Sequence, residues 1–174
     1  DILCTSKGLT AGYMPMSITV TTDKVYDAFY DDYGTHKAFV HSHTYAGNPM
    51  GCAIALEVLK IMKRDHILDK VNEDGKYLHE ELMKALGHHK NVGEIRHIGL
   101  INAIELVEDP ATKKAFPAEK RIGWHVFRKA MAKGLVLRPM GDVIYFNPPL
   151  NISREDLDKG VALCKEAVEA VLGE

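Results

Sequence analysis

The sequence of 174 residues contains 22 lysine and arginine residues against 24 aspartate and glutamate residues, so its formal net charge is −2. Hydrophobic residues make up 46% and charged residues 26%, which is typical of a globular protein of about one domain and argues against disorder. This balance offers no basic surface for nucleic acid or for a membrane, and no apolar run approaches the ~18 residues of a membrane helix. Three widely spaced cysteines indicate no disulfide framework and favour a reducing compartment, the cytoplasm.

Short strands and loops are predicted in the first third of the chain. The apolar residues 2–4 predict the end of a buried strand, and residues 16–22 are rich in β-branched residues, which favour a second strand. A loop with two glycines joins them. Asp23 is predicted to cap a short helix, and residues 38–40 are predicted to form a brief strand.

Two long helices are predicted next. Asn48 is a good N-cap, and Pro49 loses no hydrogen bond at the first helical position. The helix to about Arg64 is apolar on most of its circumference, which predicts that it is largely buried. The following helix ends at Gly87 and carries one apolar stripe, formed by Ile67, Val71, Leu78, Leu82 and Leu86.

The remaining residues predict a mixture of strands and helices. Residues 92–107 are predicted to form two strands broken near Gly99, followed by a helix over 118–132 and a hairpin formed by 135–137 and 143–146. Ser153 begins a capping-box sequence, which predicts a last helix with one apolar face. The whole pattern predicts the α/β class, with a small α+β domain toward the C-terminal end.

Lys7 is the first candidate for chemistry. It follows an apolar strand, in a loop that contains glycines and no acidic residue. Partial burial would favour the uncharged amine, which is a nucleophile that can form a Schiff base. A solvated surface lysine would fit the same pattern, so the residues alone leave both interpretations open.

Residues 41–49 are the second candidate. They lead into a helix N-terminus, where free N–H groups and the helix dipole favour an anion such as phosphate, and Thr44 adds a hydroxyl donor. A plain capping turn is the alternative. His41 and His43, with His36 nearby, also have the spacing of metal ligands on a strand, but no carboxylate or cysteine completes a set, so no metal is predicted.

The third candidate is Arg138, at the end of a predicted strand and beside a turn. A guanidinium in this position is suited to bind a carboxylate through two hydrogen bonds. An ion pair with the neighbouring Asp142, which would have a structural role only, is the alternative.

Together these segments resemble the class III aminotransferases, which use pyridoxal 5′-phosphate on the type I aminotransferase fold. SKGLTAGYMP at 6–15 is similar to the cofactor-lysine loop of the family, and HSHTYAGNP at 41–49 is similar to its next motif. RPMGDVIY at 138–145 is similar to the substrate-arginine segment. The resemblance implies that the chain is the C-terminal part of the type I fold, with 1–48 as the rim of the cofactor-binding large domain and 49–174 as a connecting helix and the small domain.

The resemblance also implies a role for each motif. Lys7 would bind pyridoxal 5′-phosphate covalently and would move a proton between substrate and cofactor. Arg138 would bind the carboxylate of a small-molecule substrate, and Tyr145 would line that pocket. Three consecutive residues, in this family usually acting across a homodimer interface, would bind the cofactor phosphate: Ser42, His43 and Thr44.

Within the family, residues 19–33 and the placement of Tyr145 after Arg138 resemble the members that transfer an amino group from S-adenosylmethionine to 8-amino-7-oxononanoate in biotin synthesis. Lysine is an alternative donor, and the ω-amino-acid:pyruvate transaminases share the Arg-Pro-Met-Gly-Asp pattern. The aspartate and phosphate loop of the family precede the cofactor lysine, and the six residues before Lys7 supply neither. The chain is therefore expected to be a C-terminal fragment that is inactive alone. A binding module that keeps the fold without the cofactor site is the alternative from another functional class.

Overall fold

The computed structural model describes all residues from 1 to 174. They form two compact units, Asp1–Asp65 and His66–Glu174. The expected division at 48/49 refers to the domains of a complete enzyme and stays a prediction. No helix combines the length and the apolar character that crossing a membrane requires.

The first unit contains two antiparallel strands and two helices. Strands β1 (Ile2–Thr5) and β2 (Ile18–Thr21) pair with each other, and helices α1 (Asp23–Asp27) and α2 (Pro49–Arg64) follow. The predicted bounds of α2 are confirmed. Asn48 caps the helix as predicted, since its side chain accepts a hydrogen bond from the backbone N–H of Met50 at 3.0 Å.

Four predictions for this unit are wrong. Asp23 does not cap α1, because it is the first residue of the helix, and the N-cap residue Thr22 makes no side-chain cap hydrogen bond. Residues 38–40 form no strand, since the only sheet of the unit is the β1–β2 pair and offers them no partner. Strand β1 is exposed, with Ile2 at 63% and Leu3 at 60%, and α2 buries only Gly51 and Ala55. The apolar composition of these elements predicts burial, but the unit has too few elements to cover them.

The second unit is an α+β structure with a four-stranded antiparallel sheet and three helices on one face of it. The strands are β3 (Val92–Ile98), β4 (Ile101–Leu106), β5 (Arg138–Met140) and β6 (Val143–Phe146), in the spatial order β3-β4-β6-β5. The helices are α3 (Ile67–Leu86), α4 (Ile122–Met131) and α5 (Arg154–Leu172). Strand β5 therefore lies at an edge of the sheet.

The core of this unit lies between the sheet and the helices. The predicted stripes of α3 and α5 face it, and Ser153 caps α5 as predicted by accepting a hydrogen bond from the backbone of Asp156 at 3.1 Å. Of the α3 stripe, Ile67 and Val71 are only half-buried. The side chains that are almost wholly buried include Leu78, Leu82, Leu86, Ile104, Ile144, Leu157, Cys164 and Val168.

Two predicted boundaries in this unit are wrong. Helix α4 begins at Ile122 instead of residue 118, because Arg121 adopts a left-handed conformation with φ 45° that separates α4 from a short 3₁₀ turn at Ala118–Lys120. The first hairpin strand begins at Arg138 instead of residue 135, so that Gly141, with φ 60°, and Asp142 form a two-residue turn between β5 and β6.

Candidate functional site

Lys7 lies in a one-turn 3₁₀ helix directly after β1. It lines a cavity of about 760 Å³, together with Ser6, Thr10 and residues of the turn before α2. The buried hydroxyl of Thr10 donates to the carbonyl of Met14, which holds the loop after Lys7 in place. Lys7 itself is exposed within the first unit, which agrees with the solvated surface lysine, one of the two interpretations that the sequence left open.

The turn before α2 contributes one of the three predicted phosphate-binding residues to the same cavity. The backbone N–H of Ala46 bonds to the carbonyl of His43 at 2.9 Å, and His43 lines the cavity with Lys7. Ser42 and Thr44 do not line it. Their exposed hydroxyls make no hydrogen bond within the chain, so both are free for a ligand.

The histidines of this segment lie in a row of aromatic rings. The rings of His41 and His43 meet edge to face with 5.0 Å between centroids, and Phe39 lies 5.5 Å from His41. No group of three or more His, Cys, Asp or Glu side chains is arranged to hold a metal ion.

The two predicted substrate residues are brought together by the register of the sheet. Arg138 on β5 is the direct cross-strand partner of Tyr145 on β6, and directly opposed residues point to the same face. Because the alternate residues Ile144 and Phe146 are buried in the core, Arg138 and Tyr145 lie on the face away from the helices. Arg138 is exposed and has no carboxylate partner in the chain.

Asp142 is not the partner of Arg138, so the structural ion pair considered above is wrong. Its Oδ1 accepts a hydrogen bond at 2.8 Å from the backbone N–H of Gly123, in the first turn of α4. The N-cap residue of α4, Arg121, makes no side-chain cap. The hairpin turn therefore supplies the cap that the sequence of the helix lacks.

A second cavity, of about 640 Å³, lies beside the edge strand β5. Arg138 lines it together with Arg121 and three aromatic side chains, those of Phe116, Trp124 and Phe127. The predictions made from the sequence include neither Arg121 nor Trp124. The spacing of Arg121 and Trp124 could have predicted that their side chains lie together, because residues i and i+3 are neighbours near a helix terminus.

Comparisons with known proteins agree with this arrangement. The family described as aminotransferase class-III matches residues 1–168. The adenosylmethionine-8-amino-7-oxononanoate aminotransferase of Geobacter sulfurreducens is 44% identical over 173 residues, which are 99% of this chain and 38% of the relative. The chain thus spans about two fifths of the length of this relative.

Solved structures of aminotransferases also resemble this chain. The adenosylmethionine-8-amino-7-oxononanoate aminotransferase from Methanocaldococcus jannaschii superposes with a TM-score of 0.91 and 37% identity, over 99% of this chain and 39% of that chain. An (S)-enantioselective omega-transaminase from Thermomicrobium roseum superposes with a TM-score of 0.89 and 33% identity, over 99% and 38%. These similarities confirm the predicted fold, which is part of the fold of the pyridoxal-phosphate-dependent aminotransferases.

Class III aminotransferases depend on pyridoxal 5′-phosphate, and the cavity at Lys7 fits part of that group. Its lining supplies a primary amine for the aldehyde and a hydroxyl at Ser6, within a volume that suits a small molecule. No carboxylate lines it, whereas the pyridine nitrogen of the cofactor requires a charged partner. By its sequence match over residues 1–168 and by its fold, the chain belongs to the class III aminotransferases.

Proposed function

We propose that the protein containing this chain transfers an amino group from S-adenosylmethionine to 8-amino-7-oxononanoate and forms 7,8-diaminononanoate. The relatives from Geobacter and Methanocaldococcus are named for these two substrates. The observation that carries the proposal is the unpaired guanidinium of Arg138 opposite Tyr145 on an open sheet face, because a substrate with a free carboxylate needs such a partner.

Lys7 provides the reacting amine. When bound, pyridoxal 5′-phosphate supplies an electron sink that makes a proton on the substrate carbon removable. Lys7 Nζ would hold the cofactor through its aldehyde, and the same amine would accept that proton from the substrate carbon and return it. The exposure of Lys7 beside an open cavity supports this double role, since Nζ must move between two positions.

The phosphate is held by Ser42, His43 and Thr44, and Thr44 reaches it across the interface of a homodimer. The support within the chain is that the hydroxyls of Ser42 and Thr44 have no partner and lie outside the Lys7 cavity of their own chain.

We assign 1–48 to the rim of the large domain and 49–174 to the connecting helix and small domain. The free cysteines favour the cytoplasm.

The 174 residues alone are expected to be inactive, because no carboxylate lines the Lys7 cavity to pair with the pyridine nitrogen. Purified chain that showed measurable transamination would contradict this expectation.

Borohydride reduction of the whole, cofactor-loaded protein tests the assignment of Lys7. Peptide mass spectrometry should find the reduced cofactor on Lys7 in the native protein and no adduct in Lys7→Ala. A cofactor adduct on another lysine would refute the assignment of Lys7, and no adduct at all would refute the proposal and favour the cofactor-free binding module.

The choice of substrate is tested by steady-state kinetics. Arg138→Gln should raise KM for 8-amino-7-oxononanoate about tenfold or more, because a charge-assisted hydrogen bond contributes ~1.5–3 kcal/mol. Parallel assays with S-adenosylmethionine and lysine identify the donor.

A second candidate function is transamination of ω-amino acids with pyruvate as acceptor. The likeness to the Thermomicrobium omega-transaminase favours it, as does the Arg-Pro-Met-Gly-Asp sequence shared with such enzymes. Faster turnover with pyruvate than with 8-amino-7-oxononanoate would establish this alternative.

A further inference from the structure

Thr10 is the only polar side chain that is buried in the first unit. It has no exposed surface, whereas every other side chain of the unit except that of Ala55 is at least partly exposed. Its hydroxyl donates a hydrogen bond to the backbone carbonyl of Met14, so the buried group is satisfied within the chain. In a unit with so little burial, this bond fixes the loop in which it lies.

Thr10 and Lys7 are the two ends of the same 3₁₀ turn. Side chains three residues apart lie one above the other in such a turn, so fixing Thr10 also fixes the direction in which Lys7 leaves the backbone. Both residues belong to the wall of the Lys7 cavity, and of the two only Lys7 reaches solvent. Thr10 therefore supports the lysine from within the wall.

The chain reverses immediately after this turn and brings Met14 back onto Thr10. Ala11 has a φ of 49° and Gly12 a φ of 83°, and alanine adopts this left-handed region only at a cost. The backbone N–H of Tyr13 donates to the carbonyl of Thr10 at 3.0 Å, and the Thr10 hydroxyl makes the one side-chain hydrogen bond of the reversal. Strained backbone of this kind persists where its surroundings fix it, and it is concentrated at functional sites.

Met14 carries this constraint to the start of α2. A Cβ on Gly51 would lie 3.7 Å from Met14 Cγ and 3.5 Å from Met16 Sδ, so both methionines pack against the first turn of the helix. These three residues line the same cavity as Lys7. The hydroxyl of Thr10 therefore connects the turn that holds Lys7 with the helix that forms another part of the cavity wall.

We infer that Thr10 is a positioning residue for Lys7, and that its hydrogen bond to Met14 sets the place of the Lys7 amine relative to a cofactor whose phosphate is held elsewhere in the site. The role of Lys7 itself rests on the proposed function. When the cofactor binds, a carbon–nitrogen double bond forms between Lys7 Nζ and the aldehyde carbon, and the aldehyde oxygen leaves as water with the two protons of the neutral amine. A displacement of reacting groups by about 1 Å slows such a step by up to about a hundredfold.

The test compares how fast pyridoxal 5′-phosphate and pyridoxal, which lacks the phosphate, become bound to Lys7 in the whole protein after its cofactor has been removed. Borohydride quenching at successive times, followed by peptide mass spectrometry, measures each rate. Thr10→Val should slow the reaction of pyridoxal 5′-phosphate about tenfold or more, because an aldehyde anchored by its phosphate needs the amine at one position. The same variant should leave the slower reaction of pyridoxal unchanged, because an unanchored aldehyde reaches the exposed amine from solution.

Three further variants isolate the hydroxyl of Thr10. Thr10→Ser keeps the donor and should restore the native rate, whereas Thr10→Ala removes it without a branched side chain and replaces Thr10→Val if that variant does not fold. Thr35→Val is the matched control, because the Thr35 hydroxyl also donates to a backbone carbonyl, that of Asp32 at 2.8 Å, at another 3₁₀ turn of the unit and outside the cavity. It should leave both rates unchanged.

Several results would overturn the inference. Equal slowing of both aldehydes by Thr10→Val, or an equal loss in Thr35→Val, would mean a general disturbance of the unit. A loss in Thr10→Ser as large as in Thr10→Val would show that the hydroxyl is not the determinant. Absence of any adduct on Lys7 in the native protein would refute the proposed function together with this inference, whereas native labelling rates in Thr10→Val and Thr10→Ala would refute this inference alone.

Discussion

The cap that Asp142 provides for α4 can be removed without touching the helix itself. Asp142 lies in the β5–β6 turn, and its Oδ1 accepts the N–H of Gly123 at 2.8 Å. Gly123 is buried, and a Cβ on it would lie 2.2 Å from the carbonyl oxygen of Gly141, so the helix start and the turn are in close contact. In Asp142→Ala no other side chain reaches this N–H.

Two contributions determine the expected loss of stability. Loss of a capping acceptor costs ~0.5–2 kcal/mol, and loss of a negative charge at a helix N-terminus costs ~0.3–1 kcal/mol. The first of these includes the penalty for a buried N–H without a partner, which is ~1–3 kcal/mol when no water enters. We therefore expect Asp142→Ala to lower the free energy of unfolding by about 2 kcal/mol, and Asp142→Asn, which keeps the acceptor, by about 0.5 kcal/mol.

Urea unfolding followed by Trp124 fluorescence measures these changes, since Trp124 lies in the first turns of α4. Glu155→Ala removes a carboxylate from the first turn of α5, where it forms no hydrogen bond, and measures the dipole contribution alone. The reasoning would be refuted if Asp142→Ala matched the native protein. It would also fail if a double-mutant cycle with Arg138→Gln gave a coupling above ~0.5 kcal/mol, because that coupling would indicate an Arg138–Asp142 pair.

Three further predictions concern the second unit and the cysteines. Gly75→Ala should destabilise the protein by ~1–3 kcal/mol in urea unfolding despite the better helix propensity of alanine, because its Cβ would lie 2.1 Å from the carbonyl oxygen of Gly99; a stabilised variant would contradict this contact. Burial raises the pKa of Cys164 to about 12, so iodoacetamide at pH 8 should alkylate the exposed Cys4 in the native protein and Cys164 only after unfolding, which peptide mass spectrometry can follow. Desolvation, with the nearby charges of a second histidine and a lysine, lowers the pKa of His97 below its usual 6.5. The unfolded state therefore takes up the proton first, and stability should decrease as the pH falls below ~6.5; His97→Gln should reduce this decrease, and an identical pH profile for the variant would contradict it.

Elements that depend on local interactions were predictable from the residues alone. Asn48 with Pro49 and Ser153 with Asp156 specified the starts of α2 and α5, because a cap involves only residues within the same turn. The stripes of α3 and α5 specified their buried faces, because the helical period alone brings those side chains to one side. The family motifs indicated Lys7 and Arg138 in the same way, as short segments of fixed composition.

The partners of these elements are set by long-range packing and were not predictable in the same way. The exposure of β1 and α2 depends on what packs against them, which their own composition does not contain. The pairing of Arg138 with Tyr145 depends on a hairpin turn two residues long, and sequence analysis placed that strand three residues too early. Arg121 lines the cavity beside β5, and Asp142, 21 positions later in the chain, supplies the cap that α4 lacks. A contact between residues so distant in sequence is decided by packing, and no local pattern records it.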